Sequence, residues 1–193
     1  MLVDKLLAKG VDSDVAKNCL YAVATSPVAY EFTRKVYELM GFPVEHILDI
    51  EWASSYDLIK EKEKPYVIDG LNRYYFNGDE DMKFDVVVGN PPFQEETKGT
   101  SDKQIYNFFM EESYKIADKV CLVTKGAFLF NAGGTPKAWN EKMLADEHLQ
   151  VEFYEQDSSK VFPGTAFKGG VAVTYRDKQR ILGPIGTFTH FEE

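Results

Sequence analysis

The chain has 193 residues, of which 44% are hydrophobic and 14% aromatic, so it can form a folded domain with a core. Its formal net charge of −9 argues against a strong nucleic-acid binder, because phosphate binding needs a basic face. The two cysteines, Cys19 and Cys121, lie in apolar runs and are expected to be buried thiols. There is neither a Cys-x-x-Cys pair nor a histidine cluster, so no metal site is predicted.

The first residues, "MLVDKLLAKGVDSD", are too charged for a signal peptide. No apolar run approaches the length of a membrane-spanning helix, so we expect no membrane contact and a cytoplasmic location.

Hydrophobic periodicity in the N-terminal part predicts a strand-helix-strand order. Ser26 and Pro27 are typical of a helix start, and Gly41 of a helix end. Because strands joined by a helix usually pair in parallel, a parallel sheet is expected. The predicted elements are a helix over 2–9, a strand over 18–25, a helix that ends at Gly41, and a short strand with its exit loop over 45–54.

The clearest strand is "KFDVVVGN", residues 83–90, which is apolar, rich in valine and followed by a polar loop. We expect it to be a central strand that is buried on both faces. A mostly parallel α/β sheet with helices on both faces follows from this order of elements, with the last two strands as an antiparallel edge. The later predictions are a helix over 104–118, a strand over 119–124, a helix that starts near Pro136, and strands over 149–156 and 170–177.

The residues that follow this strand carry the candidate chemistry. Asn90 falls where the strand ends, at the sheet edge where ligands of α/β proteins bind. Pro91 and Pro92 hold the backbone extended and have no N–H, so the Asn90 side-chain oxygen and the Pro91 carbonyl can accept hydrogen bonds from an amine. Phe93 offers a face to a planar ring, and a planar ring with an exocyclic amine describes adenine or cytosine. The alternative is a simple turn, with Phe93 filling the core.

The string "DVVVGNPPF" resembles the S-adenosylmethionine-dependent amino-methyltransferases whose signature is Asn-Pro-Pro-Phe/Tyr. The chain is most similar to the adenine-N6 DNA methyltransferases of bacterial restriction–modification systems, including type II enzymes with fused nucleases, from about Asn18 to Asp177. The resemblance implies a Rossmann-like three-layer fold, methyl transfer at Asn90 to Phe93, and an adenine flipped out of double-stranded DNA. It also implies that Phe162, in "VFPG", stacks on the adenine opposite Phe93. The alternative for Phe162 is a core residue at a loop edge.

The sequence matches the family less well at the residues that bind the cofactor than at Asn90 to Phe93. The family's Gly-x-Gly loop is absent, so residues 1–193 are expected to be one partial catalytic domain that begins after this loop. Such a domain would bind S-adenosylmethionine weakly and be weak or inactive alone. The resemblance implies Ser26, Asp49 and Asn90 as cofactor-binding residues, whereas Ser26 can instead cap a helix. Lys125 stands where the family usually has a proline.

The partners follow from the same comparison. The domain that recognises the DNA sequence is expected beyond residue 193, and the sheet edge left by the missing first strand is expected to associate with another copy or a partner chain. Two alternatives stay open. The chain can methylate a protein glutamine or an RNA base, or it can be a non-enzymatic subunit or remnant that needs a partner.

Overall fold

The computed structural model describes residues 2–60, 83–95 and 103–189, together with the single residues Leu71 and Tyr75. The chain divides into two compact units, Met1–Glu80 and Asp81–Glu193, and each unit has a hydrophobic cluster of its own. That residues 1–193 form a single partial domain stays a prediction.

The first unit is mainly helical. Its longest helix begins where the sequence predicted, because the Ser26 hydroxyl accepts a hydrogen bond from the Ala29 N–H at 3.2 Å. It ends at Gly41, whose φ of 68° is the left-handed conformation that favours glycine. Within residues 2–60 the helices are α1 (Leu2–Ala8), α2 (Ser13–Asn18), α3 (Pro27–Met40) and α4 (Ser55–Leu58), with a 3₁₀ turn at Val44–His46.

The two strands predicted in this unit are reduced to one parallel bridge, between Ala22 and Ile47. The Leu48 N–H donates to the Ala22 carbonyl at 2.8 Å. The predicted parallel direction is confirmed, and a loop follows Ile47 as predicted, but the strand predicted over 18–25 and the short strand predicted within 45–54 are each reduced to one bridge residue. The chain leaves the first segment at Ser26 to cap α3, and the 3₁₀ turn occupies the start of the second, so few residues remain extended.

The second unit is built on a four-stranded sheet in the order β1-β4-β6-β5. Strands β1 and β4 pair in parallel, whereas β6 pairs antiparallel with both β4 and β5. The antiparallel late strands are confirmed, but a mostly parallel sheet is wrong for the residues that the structure describes. The strands are β1 (Phe84–Gly89), β2 (Gln94–Glu95), β3 (Lys103–Gln104), β4 (Ala117–Lys125), β5 (Leu149–Glu155) and β6 (Val171–Asp177); β2 and β3 form a separate antiparallel pair.

Helices cover one face of this sheet. Helices α5 (Tyr106–Ile116) and α6 (Lys137–Ala145) contribute Met110, Trp139 and Met143 to the core that includes Val120 and Leu122. A third, short helix α7 (Ser158–Val161) follows β5. The described part of this unit therefore has two layers, where three were predicted.

The opposite face of the sheet is exposed along β1. The side chains of Val86 and Val88 are 48% and 58% exposed, and Phe153 on β5 is 48% exposed. β1 also lies at the end of the four-stranded sheet. The prediction of a central strand buried on both faces is therefore wrong for the described residues, because only β4 pairs with β1 among them and only one face carries helices.

The cysteines and the apolar character of the helices also bear on the sequence predictions. Both cysteines are free thiols, but Cys19 is exposed and only Cys121 is half-buried, so the expected burial of Cys19 is wrong. Burial raises the pKa of the Cys121 thiol. Among the described residues, no helix has both the length and the apolar character that a membrane span needs.

An ion pair joins β6 to the segment before β5. Arg176 Nε donates to Asp146 Oδ2 at 2.8 Å, and the two side chains are only 17% and 15% exposed. Burial opposes ionisation, but the Arg176 hydrogen bond and the His148 N–H outweigh it and lower the pKa of Asp146. A carboxyl group whose folded-state pKa is lowered contributes stability above its unfolded pKa, and this contribution is lost as the pH falls through the folded value.

Asp146→Asn should therefore lower the free energy of unfolding at pH 7 by about 1–3 kcal/mol, because Arg176 would lose its charged partner. The difference from the wild type should shrink as the pH falls from about 4, the unfolded-state value, through the lower folded-state pKa, where the wild-type carboxyl also becomes neutral. Urea unfolding over this pH range measures the difference in the free energy of unfolding between the variant and the wild type. The control is Glu111→Gln at the more exposed Lys142–Glu111 pair, where a loss below about 1 kcal/mol is expected. Equal losses of unfolding free energy in the two variants would contradict the larger contribution expected of the buried Arg176–Asp146 pair.

Candidate functional site

Three segments of the second unit meet at one edge of its sheet. Because β1 and β4 are parallel, with Gly89 opposite Leu122, their carboxyl ends lie at the same edge. Asn90 follows β1 directly, and Lys125 is the last residue of β4. β6 runs antiparallel and begins at this edge, where Val171 pairs with Lys125. The candidate site is therefore formed by the segment after β1, the turn after β4 and the loop before β6.

The Asn-Pro-Pro-Phe segment is anchored at its last residue. The Phe93 carbonyl accepts hydrogen bonds from the Ile105 N–H at 3.1 Å and, less closely, from the Tyr106 N–H at 3.4 Å. Asn90 is exposed at the other end of the segment. Within the described residues, no hydrogen bond uses the Asn90 side chain or the Pro91 carbonyl. Both oxygens can therefore accept from an amine on a ligand.

Three phenylalanine rings form a half-buried group beside this segment. The Phe93 and Phe162 ring centroids are 6.1 Å apart with planes at 70°, so the structure brings the two predicted aromatic residues together. Phe167 is closer still, with its centroid 5.3 Å from that of Phe93 and its plane at 84°. These are edge-to-face contacts, the favourable arrangement for neighbouring rings. Stacking of a base between Phe93 and Phe162 stays a prediction.

Phe167 was not identified from the sequence. The only signal was a second phenylalanine five residues after Phe162 in "VFPGTAF". The loop between them is held by Ser158, whose hydroxyl accepts from the Phe167 N–H at 3.1 Å and lies 3.4 Å from the Thr165 carbonyl. The Thr165 hydroxyl in turn donates to the Phe162 carbonyl at 2.7 Å. This buried serine was also missed, because its partners lie seven and nine residues away.

Glycines allow the loop before β6 to approach the turn after β4. The Gly126 N–H donates to the Gly170 carbonyl at 2.9 Å, and a Cβ on Gly126 would lie 2.7 Å from the Tyr154 ring. Gly169 has a φ of +93°, and a Cβ there would overlap the Ala127 side chain. The contact is therefore available only to residues without a Cβ, and it fixes where the loop that carries Phe162 and Phe167 can lie.

Lys125, which the sequence marked as a departure from the usual proline, is 8% exposed. Its ammonium Nζ lies 3.3 Å from Gln104 Oε1 and 5.9 Å from the Phe167 ring centroid. A cation thus lies among the residues that surround the aromatic group.

The other two predicted site residues belong to the first unit. Ser26 caps α3 with its hydroxyl oxygen, which confirms the structural role considered for it. Asp49 is exposed, and its Oδ1 accepts from the Glu51 N–H at 2.9 Å. Since Ala22 and Ile47 pair in parallel, Ser26 and Asp49 follow the same end of this bridge. Their cofactor-binding roles stay predictions. Among the described residues, no group of three or more His, Cys, Asp or Glu side chains is arranged to hold a metal ion.

Comparison with known proteins gives one family. The sequence model of the Eco57I restriction-modification methylases matches residues 18–162 of the chain. No curated protein matches the chain. The matched range contains Asn90 to Phe93 and ends at Phe162, so Phe167 lies outside it.

The tight glycine contact predicts a difference between two glycine variants. Gly164 and Gly169 both have positive φ, but a Cβ on Gly164 would meet nothing within 4 Å. Gly164→Ala should lower the free energy of unfolding by about 1 kcal/mol from backbone strain. Gly169→Ala should cost at least about 1 kcal/mol more, because the new methyl group also overlaps Ala127. Urea unfolding measures both, and equal losses would show that the loop does not need the close contact.

Proposed function

Because the chain belongs to the Eco57I restriction-modification methylase family, we propose that it acts on an adenine flipped out of duplex DNA and transfers a methyl group to the adenine N6. The observation that carries the proposal is the pair of available acceptors, the Asn90 side-chain oxygen and the Pro91 carbonyl, beside three half-buried phenylalanine rings.

The chemistry of the adenine amine explains why this arrangement suits the reaction. The N6 lone pair is delocalised into the ring, so the free amine is a poor nucleophile. Hydrogen bonds from both N6 hydrogens to Asn90 and Pro91 favour a tetrahedral nitrogen whose lone pair can attack. As the new N–CH₃ bond forms, the bond from the methyl carbon to the donor's sulfur breaks and its electron pair stays on the sulfur. Positive charge develops on N6, and the two acceptor oxygens stabilise it. The extra proton then leaves to solvent, and no strong general base is required.

The aromatic group supports the binding of an unstacked base. A base taken out of the duplex loses stacking energy, and aromatic side chains restore part of it. Phe93 belongs to the same short segment as Asn90, so a base that stacks on Phe93 brings its amine towards the acceptors. The three rings are half-buried, which leaves part of their surface open to a ligand.

S-adenosylmethionine is the cofactor that the family implies, and when bound it supplies a methyl group activated by a sulfonium centre. The chain's residues fit only part of it. The Ser26 hydroxyl suits a ribose hydroxyl and the Asp49 carboxylate suits the amino group of the cofactor's adenine, whereas the sequence contains no Gly-x-Gly loop before Asp85 for the methionine part. We therefore propose weak cofactor binding by this chain.

Asn90→Ala should lower methyl transfer by at least about 100-fold, because one of the two acceptors is lost. The melting temperature should not change, since Asn90 is exposed. The assay uses labelled S-adenosylmethionine and mixed duplex DNA, with calorimetric titration of the cofactor. Asn18→Ala, at another exposed asparagine, is the control and should keep full activity. Full activity of Asn90→Ala would reduce Asn90 to a turn residue, and transfer only to RNA or to a glutamine peptide would favour the other substrates.

The exposed edge of β1 favours a second candidate function, in which the chain associates with another copy or a partner chain. Among the described residues β1 pairs only with β4, and its outer edge is free of proline and lysine between Phe84 and Gly89. The exposed Val86 and Val88 side chains lie on the same strand. Apart from the exposed Asp85 the strand carries no charge, and an apolar edge strand is a template for strand addition.

If the edge is used for association, the wild type should self-associate with rising concentration, and the double variant Val86→Lys/Val88→Lys should not. Lysines on an edge strand oppose pairing because their charges would be brought against the partner strand. Light scattering after size-exclusion chromatography measures the mass. Val15→Lys, at an equally exposed valine on α2, is the control and should behave as the wild type. A wild type that stays monomeric at every concentration would leave only a different partner chain for this edge.

A further inference from the structure

Lys125 is a charged residue in a buried position. It is 8% exposed, although lysine is among the residues least often found buried. Burying an ammonium is costly unless polar and aromatic groups replace its water. Its position is fixed from the backbone side, because it ends β4 in register with Val171 of β6 and is followed directly by the tightly packed Gly126.

The ammonium joins two segments that come from different parts of the chain. Nζ lies 3.3 Å from Oε1 of Gln104, to which it donates; Gln104 belongs to β3, which pairs with the residues after Phe93. Nζ also lies 5.9 Å from the Phe167 ring centroid, within the range of cation–π attraction. Lys125 therefore contacts both the hairpin that follows the Asn-Pro-Pro-Phe segment and the loop before β6.

The position of Phe167 is fixed by contacts with Ser158, Phe93 and Lys125. Its N–H donates to the buried Ser158 hydroxyl, and its ring meets Phe93 edge-to-face at 5.3 Å. The backbone bond fixes the start of the side chain, while the contacts with Phe93 and Lys125 fix the ring. Loss of the ammonium would remove one of the contacts that the described residues make with the Phe167 ring, together with the link to Gln104.

We propose that Lys125 is a positioning residue of the base site and that it holds Phe167 as a further aromatic wall against the target base, next to Phe93. The inference rests on the proposed function, since it assigns the occupant of the site to an adenine. Lys125 acts through Phe167 and Gln104 and need not touch the base.

The test uses the full chain labelled with 4-fluorophenylalanine and followed by fluorine NMR, with deoxyadenosine as the probe. Single Phe→Leu substitutions assign the Phe93 and Phe167 signals. Lys125→Met keeps the side-chain length without the charge, Lys125→Arg keeps a cation that stacks on aromatic rings, and Lys142→Met is the control at an exposed lysine. Melting temperatures identify any variant that fails to fold, and in that case Phe167→Leu replaces Lys125→Met in the binding measurement.

We expect deoxyadenosine to shift both the Phe93 and the Phe167 signals in the wild type. Lys125→Met should move the Phe167 signal in the free chain and weaken deoxyadenosine binding about five- to tenfold. Lys125→Arg should restore most of the affinity, and Lys142→Met should match the wild type. With Phe167→Leu, the same loss of affinity is expected.

Two results separate the inference from the function on which it rests. If deoxyadenosine shifts Phe93 while Phe167 does not respond and Lys125→Met binds as the wild type, the positioning role is overturned and the base site remains. If deoxyadenosine shifts neither ring and the wild type transfers no methyl group to DNA, the proposed function and the inference both fall. A loss of deoxyadenosine affinity in Lys125→Arg as large as in Lys125→Met would also overturn the inference. In that case a cation that stacks on Phe167 would not be enough to position the ring.

Discussion

The candidate site depends on a close approach of two backbone segments, at Gly126 and Ala127 on one side and at Gly169 and Gly170 on the other. The residues after β4 and before β6 can meet only because the glycines carry no Cβ. This contact places the loop with Phe162 and Phe167 over the edge at which β1 and β4 end. Without it, the rings of Phe162 and Phe167 would not be held beside Phe93.

Sequence reasoning identified the local features and missed the long-range ones. The bounds of α3 follow from Ser26 and Gly41, residues with specific capping conformations, and the Asn90 to Phe93 segment follows from two prolines after an apolar strand. By contrast, the place of β1 at a sheet edge depends on which strands pair, and periodicity within one strand does not contain this information. An apolar strand such as Phe84–Gly89 is typical of burial on both faces, yet it is half-exposed here.

The same limit explains the missed site residues. Phe167 is 74 residues from Phe93 in the sequence, and its role appears only when β6 is paired antiparallel with β4. Lys125 was noticed because it replaces an expected proline, but its contact with Gln104 spans 21 residues and crosses from β4 to β3. Such contacts depend on strand register, which a single sequence specifies only weakly.

The orientation of the rings bears on how a base can enter. A base between two aromatic rings needs parallel planes about 7 Å apart, twice the thickness of a stacked contact. Phe93 and Phe162 are 6.1 Å apart with planes at 70°, and Phe167 meets Phe93 at 84°. With these orientations a base can lie flat on one ring and meet the edge of another. A two-sided stack on Phe93 would require Phe162 to turn, whereas the contacts of the Phe167 ring with Phe93 and Lys125 resist a turn of that ring. For the proposed adenine, Phe162 would therefore be the ring that adjusts and Phe167 the one that stays in place.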